Sequence, residues 1–179
     1  MAYGLLHTVE APRPILLALL QDSLVISRAV AQYSPALIDA DLIGLVRRAD
    51  LPLLTAVALR ERLTARVAEA LIAREQRAIT AKLLAREEVP VPPVLLIKLA
   101  TEQGLEDAEI RGLLLGRNDL PATARLLLVE CAVAALRETR IVRGAVAGPR
   151  LERLLRDCMD TSLTVIGEDS LLYLQDPPA

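Results

Sequence analysis

Apolar residues recur along this chain in short blocks of helical spacing. Polar residues suited to starting helices precede the blocks, and prolines and glycines come after them. Pro12 and Pro14 introduce Ile15–Leu20, a first helix. Asp22-Ser23 interrupts it, and Ser23 is placed to N-cap a second helix running to about Gln32, which Ser34-Pro35 ends. Asp39 is the next expected N-cap, with Asp41 adding negative charge where the helix dipole favours it. Asp50 caps a helix to about Arg60, with Pro52 in its first turn, where proline costs no hydrogen bond. Thr64 caps another, with Val67, Leu71 and Ile72 on one face. Gln76 to Arg86 is the next helix, with Ile79, Leu83 and Leu84 inward.

Val89-Pro90-Val91-Pro92-Pro93 forbids helix and predicts an extended joint. Val94 to Gln103 resumes as helix, and Gly104 suits a left-handed residue after its last turn. Asp107, with Glu109, repeats the Asp39/Asp41 device and opens a helix to Leu115. Asp119 repeats Asp50, with Pro121 repeating Pro52. Pro121 to Arg137 holds only Arg125 and Glu130 as interior charges, so it predicts a central, buried helix. Gly144 and Gly148-Pro149 punctuate the stretch after Arg137. Arg150 to Met159 is amphipathic, with Leu151, Leu154, Leu155 and Cys158 on one face. The tail, Leu163–Ile166, Gly167–Ser170 and Leu171–Leu174, reads as a small β-hairpin or a short helix, with Asp176–Ala179 frayed.

One segment is written twice. Leu37–Leu45 returns as Leu105–Leu113, 68 residues later, and Asp50-Leu51-Pro52 returns as Asp119-Leu120-Pro121, 69 residues later. Duplication at fixed spacing marks repeats that stack to share a core. The expected fold is all-α: a HEAT-like α-solenoid of stacked antiparallel hairpins. It forms a single helical-repeat domain over residues 12–161, with halves of about 12–88 and 93–161 joined by the break at 89–93. A C-terminal tail covers 162–179.

Composition agrees. The 179 residues are 53% hydrophobic, yet Phe and Trp are absent, so Leu, Ala and Val fill the core and favour closely packed helices. A net charge of −2 gives no general attraction to nucleic acid or anionic membrane. No apolar run reaches the ~18 residues of a membrane span. The first seven residues lack the basic region of a signal peptide. Two cysteines, Cys131 and Cys158, are too few for a disulfide framework; Cys131 reads as core, and the expected setting is a reducing cytoplasm.

Three stretches carry a resemblance. Ala58-Leu59-Arg60-Glu61-Arg62-Leu63 with Val67 and Leu71, and Leu114–Pro121, are similar to runs of a bacterial family of uncharacterised proteins, a domain of unknown function that looks like HEAT repeats. Pro35–Leu42 resembles its helix-entry pattern. The similarity covers roughly Pro12 to Arg137. The charged Arg86-Glu87-Glu88 departs from the Asn-Gly-type turn of many members, and the chain is shorter than theirs. The resemblance implies an α-solenoid and supplies no known activity.

Catalytic chemistry finds little footing. His7 is the lone histidine, and no nucleophile elbow, phosphate loop or dinucleotide fingerprint is present. The pairs Asp39/Asp41 and Asp107/Glu109 are explained by helix capping, and Glu168/Asp169 by a turn. Gly112 to Gly116 has the spacing of close helix packing. Arg60 and Arg117 are expected to pair with a neighbouring Asp, Asp50 or Asp119 being the natural candidates. No metal and no cofactor is expected. The stronger signal is six arginines from Arg137 to Arg156 against two glutamates. Arg150, Arg153 and Arg156, with Arg140 and Arg143, read as a solvated face or as a ridge that grips an acidic or phosphorylated partner.

The function expected is a non-enzymatic scaffold that binds a protein partner, with a homodimer among the states it allows. The alternative is nucleic-acid or phospho-ligand binding through the arginine ridge, against which the missing aromatic residues and acidic balance weigh. An enzyme using a carboxylate pair comes last.

Overall fold

A computed structural model describes Thr8 and residues 11–175, with side chains described as far as Glu168. His7, the signal-peptide reading and the Asp176–Ala179 tail lie outside the described residues. The fold is all-α, with no strand among the described residues. The chain divides into two compact units between Pro92 and Pro93.

The first unit holds α1 (Arg13–Leu19), α2 (Leu24–Tyr33), α3 (Asp39–Val46), α4 (Leu51–Ala58), α5 (Ala65–Ile72) and α6 (Arg77–Leu84). From α2 onward each helix packs on the next but one: α2 on α4, α4 on α6, and α3 on α5. The core is Leu and Val at helical spacing. Val67, Leu71 and Ile72 are buried on α5, as are Ile79, Leu83 and Leu84 on α6. Each fully buried Leu or Ile contributes roughly 1.5–3 kcal/mol.

Caps explain where several helices begin. Asp50 accepts the Leu53 amide at 3.2 Å and Thr64 accepts the Val67 amide at 3.4 Å. Asp39 does not cap. It lies inside α3, where it accepts the Thr64 hydroxyl at 2.8 Å. Asp41, one half-turn on, reaches back to the Ile38 amide at 3.3 Å. Ser23 holds the cap position of α2 without a side-chain bond; its own amide donates to Asp22.

The second unit holds α7 (Pro93–Leu99), a π-helical turn (Ala100–Gly104), α8 (Ala108–Leu115), α9 (Ala122–Glu138), α10 (Arg140–Ala145) and α11 (Gly148–Gln175). Asp107 caps α8, accepting the Glu109 and Ile110 amides. Gly104 is not left-handed; among the described residues no glycine has a positive φ. Its role is steric, since a Cβ there would stand 2.7 Å from Leu128 Cδ2 and 3.3 Å from Leu114 Cδ1. A Cβ at Gly112 would meet nothing within 4 Å, so the Gly112/Gly116 spacing does not mark close packing.

α9 is less buried than its sequence predicts. Ala124, Leu128 and Val133 are buried and Leu127 is half-buried, but Leu136 is 45% exposed. It packs chiefly on α11, and on α8 and the π-helical turn, while Ala134 and Ala135 are exposed. The tail corrects the hairpin reading. α11 runs without a break through Gln175, because no proline intervenes and its hydroxyls fold back into the helix. Thr161, Ser162 and Thr164 donate to the carbonyls of Asp157, Cys158 and Asp160.

Candidate binding surfaces

Arginines at helix ends organise the first unit. Arg60, Arg74 and Arg86 each stand two residues past the end of a helix (α4, α5 and α6). Each reaches back across the stack to the C-terminal carbonyls of the helix two earlier. Arg60 donates through Nη1 to Ala31 O and through Nη2 to Ser34 O at 2.8 Å. Arg74 donates to Arg47 O at 2.8 Å and Ala49 O at 3.4 Å. Arg86 donates to Ala58 O at 2.6 Å and Glu61 O at 3.4 Å. Helix C-termini leave carbonyls without intrahelical partners and carry the negative end of the dipole. A guanidinium fork answers both needs at once.

Arg60 therefore does not pair with Asp50, as expected from sequence; Asp50 is spent on its own helix. Arg60 is 8% exposed. Burial pushes its pKa down and Asp39 pulls it back, with protonation assured throughout because arginine stays charged in proteins. Arg117 does pair with Asp119, at 2.7 and 2.8 Å, and its side chain is 1% exposed. Arg111 and Arg125 extend the theme in the second unit. Arg111 donates to Gly104 O and Leu105 O, and Arg125 to Leu115 O and Arg117 O. Cys131 is half-buried rather than core, its thiol donating to Leu105 O. The sequence does carry a signal for the first-unit ties: an apolar residue, a Leu or Ala, then Arg, at Ala58-Leu59-Arg60, Ile72-Ala73-Arg74 and Leu84-Ala85-Arg86.

The arginine ridge is exposed but not uniformly basic. Arg140 begins α10, Arg143 lies within it, and Arg150, Arg153 and Arg156 lie on α11, all facing solvent. Asp157 and Asp160 stand four residues after Arg153 and Arg156, the spacing that places side chains together on a helix. Arg137 grips Glu152 at 2.9 and 3.0 Å, and Arg143 lies 3.8 Å from Glu138. The Arg137 hydrogen bond holds the Glu152 carboxyl below its usual range. On the opposite side, Leu151 and Leu155 are buried with Val133, whereas Leu154 is 50% exposed and Cys158 is exposed. The predicted apolar face is thus narrower: Val129 and Val133 of α9, with Val142 of α10 and Val146 after it, cover Leu151 and Leu155 and leave Leu154 and Cys158 outside.

Two clefts have room for a small ligand. One in the first unit, of about 390 Å³, is lined by Tyr33, Asp39, Arg60, Glu61 and Arg62 among others. One in the second unit, of about 340 Å³, is lined by Arg137, Glu138, Arg143, Leu151 and Glu152 among others. Each sets two arginines against two acids, so neither selects for charge. Exposed apolar side chains are more telling. Leu24, Val25 and Ile26 open α2 at 48%, 78% and 38% exposure, and Ile15 and Leu17 on the adjoining α1 are 48% and 38% exposed. Among the described residues no helix is long and apolar enough to cross a membrane.

Helices whose C-terminal carbonyls are held by arginines further along the chain define an all-α module. Residues 26–172 match the family described as "Uncharacterised protein conserved in bacteria (DUF2336)", and the chain belongs to that family. No curated protein and no solved structure gives a significant match.

Proposed function

We propose that this chain is a non-enzymatic, HEAT-like helical-repeat scaffold of the cytoplasm that binds a protein partner. The observation that carries this is the run Leu24-Val25-Ile26 opening α2, consecutive and exposed, beside Ile15 and Leu17 on α1. Together they form an exposed apolar patch, as surfaces that dock proteins do. Two free thiols, Cys131 and Cys158, fit a reducing compartment.

The test is recovery of partners from bacterial lysate treated with nuclease, comparing the parent with Val25→Asp. Val25 is 78% exposed, so the variant keeps its circular dichroism and melting temperature. The expected result is nuclease-resistant protein partners on the parent and their loss on the variant. Identical recovery on both, or recovery that nuclease abolishes, overturns the proposal.

A second reading rests on Arg140, Arg153 and Arg156, which are exposed and make no ion pair among the described residues. A phosphorylated or acidic ligand fits them; the interleaved Asp157 and Asp160 weaken that fit. Neutralising the three arginines together separates a binding ridge from a solvated face.

A further inference from the structure

α11 carries a second stripe beside the one it packs against α9. Arg150, Leu154, Cys158, Thr161, Val165 and Glu168 succeed one another at spacings of three and four, which places them along one side of a helix. All six are exposed, with Leu154 at 50% and Val165 at 48%. Thr161 spends its hydroxyl on the Asp157 carbonyl, 2.8 Å away, and so offers its methyl group outward. The stripe is apolar through its middle, with a cation at one end and an anion at the other. It is about 27 Å long at the helical rise. Neither Arg150 nor Glu168 makes an ion pair among the described residues.

The order along the stripe is self-complementary. Reversed about a point between Cys158 and Thr161, Leu154 falls on Val165, Cys158 on Thr161, and Arg150 within one residue of Glu168, in reach of its long side chain. A parallel copy would set like charges together at both ends. We propose that a second copy of this chain docks on this stripe, α11 against α11, antiparallel about a two-fold axis near Cys158 and Thr161. The apolar middles bury one another, and two symmetric Arg150–Glu168 pairs fix direction and register, as flanking charges do in paired helices. Three apolar side chains per copy make a small interface, so association is weak and depends on concentration.

Sedimentation of the full chain over a concentration series, from about micromolar to about millimolar, tests this. The parent is expected to pass reversibly from monomer to dimer. Arg150→Glu alone and Glu168→Arg alone each set like charges face to face, and each weakens the dimer at least about tenfold. Mixing these two variants in equal amounts restores opposite charges at both ends of a heterodimer, so the mixture dimerises like the parent. All the altered positions are exposed, and circular dichroism should be unchanged. A parent that stays monomeric throughout overturns the proposal. So does a dimer that ignores both single charge changes, or a mixture no better than its components.

Discussion

The two units contain the same short word and use it differently. Arg48-Ala49-Asp50-Leu51-Pro52 lies in the first and Arg117-Asn118-Asp119-Leu120-Pro121 in the second. Each comes after an eight-residue helix, α3 or α8. In the first unit Asp50 turns forward and caps α4, and Arg48 stays exposed. In the second, Asp119 turns back and grips Arg117, whose side chain is 1% exposed. The start of the next helix decides between these outcomes. α4 begins at Leu51, directly after Asp50, so the carboxylate reaches the free amides of its first turn. α9 begins at Ala122 with Pro121 at the cap position, which leaves Asp119 too far back to reach them. A motif fixes which bonds a residue can make; the helix boundary fixes which one it makes.

The largest effect should come from the arginine that ties α4 to α2. Arg60→Ala strands the carbonyls of Ala31 and Ser34, which Arg60 now serves from a buried position. The expected loss is about 3 kcal/mol, from the cost of unmade bonds to a charged group. Chemical denaturation reads it directly. Arg60→Lys should recover only part, because one ammonium cannot match the fork's two-carbonyl geometry. A variant as stable as the parent would mean that the ties are incidental to the stack.

Asp41 comes next. It accepts the Ile38 amide and a two-pronged bond from Arg13 at 2.7 and 3.0 Å. The Arg13 bond holds its carboxyl below the ordinary range. A depressed carboxylate stabilises the fold above its unfolded pKa, near 3.9, and that contribution fades as pH falls through the lower folded value. Asp41→Ala should lose about 1 kcal/mol at neutral pH, by the usual worth of a helix-start bond. Melts from pH 7 down to about pH 2 should converge for parent and variant. A gap that persists at the acid end would point to packing instead.

The smallest effect on stability belongs to the ridge. Arg140→Gln, Arg153→Gln and Arg156→Gln together should leave the melt within about 0.5 kcal/mol, as surface changes do. Arg150 is left in place, so self-association is preserved. If the ridge holds a phosphorylated or acidic ligand, the triple variant loses salt-sensitive binding to a phosphopeptide array. Equal signals from both proteins would retire the ridge as a binding site.

Much of the fold was legible in the chain. The faces Val67/Leu71/Ile72 and Ile79/Leu83/Leu84 are buried as their spacing dictates, and Asp50, Thr64 and Asp107 cap as their positions suggest. The features that escaped the sequence depend on neighbours. Leu154 and Cys158 share the period of Leu151 and Leu155, yet the neighbouring α9 and α10 cover only the latter pair. Helix α10 was missed because Gly144 and Gly148 read as breaks. Arg74 and Arg86 look like ordinary surface charges until the stack brings them to carbonyls 25 to 28 residues earlier. Of the candidate site, the five ridge arginines are exposed, as amphipathic spacing implies; what they bind is not written in that spacing.

The reading of the shared word is tested most directly by serine, which can cap a helix but cannot neutralise a buried guanidinium. Thermal melts of Asp50→Ser and Asp119→Ser should be compared side by side. Asp50→Ser should stay within about 0.5 kcal/mol of the parent, because serine is nearly as good a cap as aspartate. Asp119→Ser should lose about 2 kcal/mol, because Arg117 surrenders both of its carboxylate bonds in a buried setting. Equal losses in the two variants, or a larger loss at Asp50, would contradict the account.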